Sequence, residues 1–298
     1  MRVDLATAPV SWGILIKGME NVPPYPQVLD EMREAGYTGT ELGAYGYLPL
    51  DPELLRSELR RRNLHLLSSF VPVTLVDPQS RPTQYEEAIT TARFLAEMGC
   101  EWIVLSDALF VDEVRSRRAG RIRPEDGLDE SGWQSVIHHT NAFGRRMRDE
   151  FGLKTVVHPH VGTFIEAPWE VDRLLSSTDP ELVGLCLDTG HAIYGGDDPV
   201  ALLERWAPRV RYLHLKDCDK TVLERIRASE GDYFAGVRSG VFPELGKGSV
   251  DFPGFLAGLR QHNFEGWAVV EQDILHGSGM NPLNSAKHNL HYLKSIGF

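Results

Sequence analysis

A (β/α)8 TIM barrel is the fold this sequence predicts, on three observations. Eight short apolar runs alternate with mostly amphipathic helical stretches, the pattern of parallel strands that need crossovers to bring the chain back in one direction. Four runs end in a side chain able to ligate a metal: Lys154 to Val157 before His158, Val183 to Leu187 before Asp188, Val210 to Leu213 before His214, and Trp267 to Val270 before Glu271. A barrel gathers such strand ends on one rim, where its active site lies. The competing open, doubly wound sheet lacks its usual mark, because no Gly-x-Gly-x-x-Gly follows the first strand. With no linker-like stretch in 298 residues, one barrel domain spanning 1–298 is expected.

The elements follow in order. Val3 to Pro9 reads as the first strand, followed by a loop through Trp12, Gly13 and Pro23-Pro24 that suits a pocket cover. Gln27 to Glu34 is a helix with Val28, Leu29 and Met32 inward, and Gly36 ends it before the strand Thr38 to Leu42, which delivers Glu41 to its exit. Glu53 to Arg62 is the next helix and Leu64 to Val71 the third strand; Tyr85 to Met98 and Trp102 to Leu105 repeat the alternation. Ser106 to Ser131 breaks the rhythm as a charged insertion. Its Arg115, Arg117, Arg118, Arg121 and Arg123 read as solvated surface charge, an anion site being the weaker alternative. Trp133 to Phe151 is a long helix, Lys154 to Val157 the fifth strand, and Trp169 to Ser176 a helix opened by Pro168. Val183 to Asp188, Val200 to Trp206, Val210 to Leu215, Phe252 to His262 and Trp267 to Glu271 complete the series.

Composition narrows the function classes. Hydrophobic residues at 42% and charged residues at 24% describe a chain that buries a substantial core. A net charge of -11 argues against a general nucleic-acid or anionic-membrane surface. Cys100, Cys186 and Cys218 show no paired spacing, so neither a disulfide framework nor a cysteine zinc site is expected, and a reducing cytoplasm fits. The start, Met1-Arg2-Val3-Asp4, lacks a secretory apolar region, and no run approaches the roughly 20 residues of a membrane span.

The chemistry concentrates at the strand ends. Asp188, His214 and Glu271 supply one imidazole and two carboxylates, a set suited to Mn2+, Co2+ or Zn2+ with positions left for substrate, and His158 is the candidate fourth ligand. A metal-free reading of the same residues is a buried ion-pair network closing the barrel top. Along an extended segment His158 and His160 share a side, as do His214 and Lys216. His191, three residues after Asp188, either binds a substrate hydroxyl above the metal or caps the following turn. Lys216 either faces a sugar-sized substrate or pairs with Asp217 or Glu271. Cys218 to Val250 is a second long excursion, a lid or a subunit contact, and its Leu245-Gly-Lys-Gly248 turn either meets a ligand through its backbone or merely connects. Glu41 and Trp12 are candidate substrate contacts, with Phe70 and Trp267 as further pocket walls.

Together, His158-Pro-His-Val-Gly-Thr163, Leu187-Asp-Thr-Gly-His191, His214-Leu-Lys-Asp217, Leu245-Gly-Lys-Gly-Ser-Val-Asp-Phe252 and Gly266-Trp-Ala-Val-Val-Glu271 resemble the xylose isomerase-like superfamily of sugar phosphate isomerases and epimerases. Within it they are most similar to the inosose dehydratases. The likeness is densest from His158 onward; before it, Ala8-Pro9 with Trp12 and Gly39-Thr-Glu-Leu-Gly43 stand out. The resemblance implies a (β/α)8 barrel and a divalent metal on Asp188, His214 and Glu271. Many members place a glutamate where this chain has His158. Inosose dehydratases tend to carry Asn-Asp-Asp after the first-strand tryptophan, where this chain reads Trp12-Gly-Ile-Leu-Ile.

The resulting expectation is a metal-dependent lyase that removes water from a keto-cyclitol or keto-sugar. Dehydration beside a ketone begins with loss of the acidic α-proton, for which Lys216 or His160 is the candidate base, and His191 would help hydroxide leave as water. Ketose isomerisation or epimerisation through an enediolate is the alternative, a non-catalytic sugar-binding barrel belongs to another class, and endonuclease action is remote given the charge. The expected partner is a small-molecule keto-sugar or cyclitol, with neither nucleic acid nor membrane, and a homo-oligomer is compatible with the chain.

Overall fold

In the computed structural model the chain is described for residues 2–275 and 279–298. Nine strand segments form one sheet: β1 Arg2–Thr7, β2 Gly39–Thr40, β3 His65–Leu66, β4 Phe70–Val73, β5 Trp102–Asp107, β6 Lys154–Val157, β7 Val183–Asp188, β8 Val210–Leu215 and β9 Glu265–Val270. Every pairing is parallel and the order is β3-β2-β1-β9-β8-β7-β6-β5-β4.

The two ends of that order are halves of one barrel strand. The run expected as Leu64 to Val71 is split, with β3 bonded to β2 and β4 to β5. Between them, Ser68 O accepts from Leu42 N at 2.9 Å while Ser69 O accepts from Val104 N at 3.0 Å. The segment thus turns from one neighbour to the other, closing eight strand positions into a barrel. Alternation had no means of announcing this break, because both halves carry apolar residues.

Period-two alternation sorts the side chains. Leu185, Leu187, Leu213 and Leu215 point outward into the layer shared with the helices. Ala6, Val104, Val156, Cys186, Tyr212 and Val269 point inward and fill the barrel. Two residues further along four of these strands the inward row turns ionisable, giving His158, Asp188, His214 and Glu271. An apolar plug therefore supports a layer of buried ionisable groups from below.

Several elements differ from expectation. β1 stops at Thr7, because Pro9 starts a 3-10 turn over Pro9–Trp12. The charged insertion contains a helix at Glu113–Arg117, and its Arg115 is fully buried in a two-pronged bond to Glu170 at 2.9 and 2.7 Å, not solvated. Arg117 and Arg123 do face solvent. The excursion 218–250 holds helices Lys220–Ala228 and Tyr233–Arg238. A closing helix, Pro282–Ile296, which the strand pattern did not announce, packs on Tyr25–Ala35, with Tyr37 Oη donating to Ala286 O at 3.3 Å. No helix among the described residues is long and apolar enough to cross a membrane.

Candidate active site

Asp188 ends β7 and splits its two oxygens between two tasks. Oδ1 accepts from Gly190 N and His191 N, both at 2.8 Å, capping the helix Thr189–Gly195. Oδ2 turns into the barrel mouth, 3.3 Å from His158 Nε2, 3.9 Å from His214 Nδ1 and 3.4 Å from Lys216 Nζ. Glu271 Oε2 lies 3.2 Å from His214 Nδ1 and 3.2 Å from Lys216 Nζ. Asp188 and Glu271 thus both face Nδ1 of His214, with His158 set against Asp188.

Whether they fit a metal is decided at His214. Its Nε2 lies 3.1 Å from Glu41 Oε1, a carboxylate oxygen that also accepts from Ser68 Oγ at 2.8 Å, and Ser68 in turn meets Tyr212 Oη at 2.9 Å. A carboxylate only accepts, so Nε2 carries the proton and Nδ1 is the nitrogen left for a cation. Nδ1 is buried, has no hydrogen-bond partner and faces Asp188 and Glu271. Two carboxylates and two imidazoles around such an atom suit a divalent metal. Two three-residue groups lie within reach of one ion, Glu41 with His214 and Glu271, and His158 with Asp188 and His191, so the expected four ligands are divided between neighbouring groups. Cys186 approaches His158 and His214, but burial pushes its thiol up to about 11, so it remains a neutral core residue.

The charges respond to one another. Burial would push the Asp188 carboxyl up, but Lys216 and the neighbouring imidazoles pull it well below its usual range. Burial likewise opposes the charge of Lys216, and Asp188, Asp273 and Glu271 together hold it as an ammonium. Burial opposes a charge on His214, but the Glu271 and Glu41 carboxylates draw it well above an ordinary imidazole, so a cation at Nδ1 would take the place of a second ring proton. His158 moves the other way, to about 4, because burial dominates. His160 falls well below its usual value through burial and the charges of His191, His158 and Lys216, so its ring is neutral.

Asp273 is a site residue that the strand-end reading missed. Its Oδ1 lies 2.8 Å from Lys216 Nζ, and its Oδ2 accepts from Tyr233 Oη at 2.5 Å and sits 3.7 Å from His191 Nε2. The signal was available: Asp273 is two residues beyond Glu271 and shares its side, as Lys216 shares that of His214.

Other expectations resolve differently. His160 and His191 face each other with ring centroids 3.9 Å apart, and both line the cavity above the charged layer. Trp12 lies outside the cavity: it is buried, and its indole N–H donates to Glu31 Oε2 at 2.6 Å, while Ile14 and Leu15 from the same loop line the cavity. Trp267 sits lower in the barrel against the inward row, whereas Phe70 does line the cavity. The Leu245–Gly248 turn is a structural connection. Asp217 accepts from Gly246 N, Gly248 N and Val250 N at 2.9, 2.8 and 3.1 Å, and a Cβ on Gly248 would stand 2.3 Å from Asp217 Oδ1. Asp217 is thereby committed to this turn, and Lys216 pairs elsewhere.

Comparison with known proteins identifies the family. The chain is 36% identical over 270 residues to an inosose dehydratase of Geobacillus kaustophilus, covering 90% of this chain and 87% of that one. It is 34% identical over 279 residues to an inosose dehydratase of Clostridium beijerinckii, covering 91% and 90%. The solved IOLI protein with a bound zinc atom superposes with a TM-score of 0.71 at 13% identity over 99% of this chain and 98% of that one, a likeness of fold. The family model described as xylose isomerase-like TIM barrel matches residues 29–296, and the chain belongs to that family.

Proposed function

We propose that this chain is a divalent-metal-dependent lyase that removes water from a keto-cyclitol or closely related ring ketone, as the inosose dehydratases it resembles are named to do. The observation that carries the reading is the unpartnered Nδ1 of His214, buried among Asp188, Glu271 and His158 at the floor of a cavity of about 390 Å3. Asp188, His214, Glu271 and His158 would hold the metal, with Mn2+ or Co2+ favoured by the mixed oxygen and nitrogen donors and Zn2+ compatible with them. When bound, such an ion supplies Lewis-acid stabilisation of negative charge on a ketone oxygen.

The protein's own groups divide the proton work. His160 donates its Nδ1–H to Val161 O at 2.7 Å, which leaves Nε2 as the basic nitrogen of a neutral ring lining the cavity. It takes the α-proton. Lys216, kept charged by three carboxylates, is a hydrogen-bond donor with no free lone pair, so of the two candidate bases the geometry favours His160. The C–O bond at the β-carbon breaks, and the hydroxyl departs as water with a proton from the cluster of Lys216, His191 and Tyr233 around Asp273. Proton NMR of the Mn2+-loaded protein with inosose in deuterated water tests the reading. A dehydrated enone product is expected; deuterium uptake without loss of water would transfer the site to isomerase or epimerase chemistry.

A further inference from the structure

The floor of the cavity is charged, whereas its walls are mostly apolar, broken by the Lys17–Glu87 ion pair and by Tyr45, Ser69, Gln84 and Thr91. Ile14, Leu15 and Ile16 from the loop after β1 form one side, and Val71, Leu109 and Phe234 contribute to the others. Ile16 is 53% exposed, an apolar side chain left at the mouth. Phe110 is held there at a cost. Its backbone has φ +56°, a conformation that bulky residues avoid, and its ring stands 5.0 Å from Phe234, 5.5 Å from Tyr233 and 6.4 Å from His160. Gly162 makes room for it, since a Cβ there would lie 3.0 Å from Phe110 Cε1. The aromatic wall is thus continuous with the histidines of the floor.

A free keto-cyclitol has a hydroxyl on every ring carbon but one, and unpartnered hydroxyls against such walls are unfavourable. A phosphorylated ligand fits no better, because the cavity's lysines are already paired: Lys17 meets Glu87 at 2.9 Å and Lys216 meets three carboxylates. We infer that the substrate is a neutral ring ketone carrying an apolar alkyl or aryl substituent, with its polyol ring on the charged floor and the substituent between the Ile14–Ile16 loop and the Phe110 wall. This rests on the lyase reading of the floor and narrows its substrate class.

The test compares inosose with its mono-O-methyl, O-butyl, O-octyl and O-benzyl ethers, substituted at the carbon opposite the ketone so that the departing hydroxyl is untouched. Turnover by the Mn2+-loaded protein is followed by NMR and binding by isothermal titration. kcat/KM is expected to rise about fourfold per added methylene over the first few carbons, the factor that burying a methylene brings, with benzyl comparable to butyl or better. Equal kcat/KM for inosose and every ether overturns the inference and leaves the lyase reading standing. If nothing reacts, the lyase reading fails and titration still decides: Kd tightening along the series upholds the substrate class, and a flat series overturns it. A flat series with a dimer that Ile16→Glu splits into monomers assigns the apolar mouth to a second copy of the chain, which also overturns it.

Discussion

Glu41 holds His214 by its Nε2 at 3.1 Å, although 173 positions separate the two residues. The bond sets which nitrogen of His214 is bare, and so determines that Nδ1 faces the carboxylates of Asp188 and Glu271. Glu41, the expected substrate contact, does line the cavity, and the same carboxylate holds the His214 ring.

Glu41→Ala should therefore weaken Mn2+ binding about 10- to 100-fold, the usual cost of losing a partner behind a ligand. Isothermal titration of the variant checks this. Unchanged affinity would remove the positioning role.

Asp188→Asn separates the two tasks of that side chain. Asparagine still caps the helix Thr189–Gly195, so circular dichroism and thermal melting should show a folded protein. Metal binding and metal-dependent turnover should be lost together, and full activity with normal metal content would sink the ligand assignment.

His160→Gln keeps a polar side chain but no base. Exchange of the substrate α-proton with solvent should slow at least about 100-fold while Mn2+ still binds. Exchange at the parent rate would hand the base role to Lys216.

Glu166 predicts a pH effect away from the metal. It is buried, accepts from Gly120 N and Gly162 N at 2.6 Å each, and burial raises its carboxyl from 4.5 to about 7 despite Arg115. The folded state therefore binds the proton more tightly than the unfolded chain, so stability is greatest below pH 4.5 from this group and falls as pH rises through about 7. The loss is roughly 3 kcal/mol. Urea midpoints at pH 5 and pH 8 should diverge more for the parent than for Glu166→Gln, and equal divergence would refute the assignment.

How much was legible in the chain depends on the range of the physics involved. Period-two alternation is local, and it was enough to find β6, β7 and β8 at their observed limits and to place His158, Asp188, His214 and Glu271 on one rim. The same rule contained Lys216 beside His214 and, had it been carried one step further along the last strand, Asp273 beside Glu271. Helix starts were also local, because aspartates such as Asp198 and Asp219 cap the first free N–H groups of the chain that follows them.

Other properties had no local cause. The split of the third strand exists because the barrel must close there, and either half alone reads as an ordinary strand end. The burial of Arg115 depends on Glu170, 55 residues away, and the withdrawal of Trp12 into the core depends on Glu31. The tautomer of His214 and the charge of Lys216 are likewise properties of several strands at once. By itself the sequence determined a barrel, its rim and the donors on it, since these follow from the period of the backbone. Only the tertiary structure decided which nitrogen is bare, which cation is already paired and which walls are apolar, because electrostatics and desolvation act between groups that only folding brings within a few ångströms.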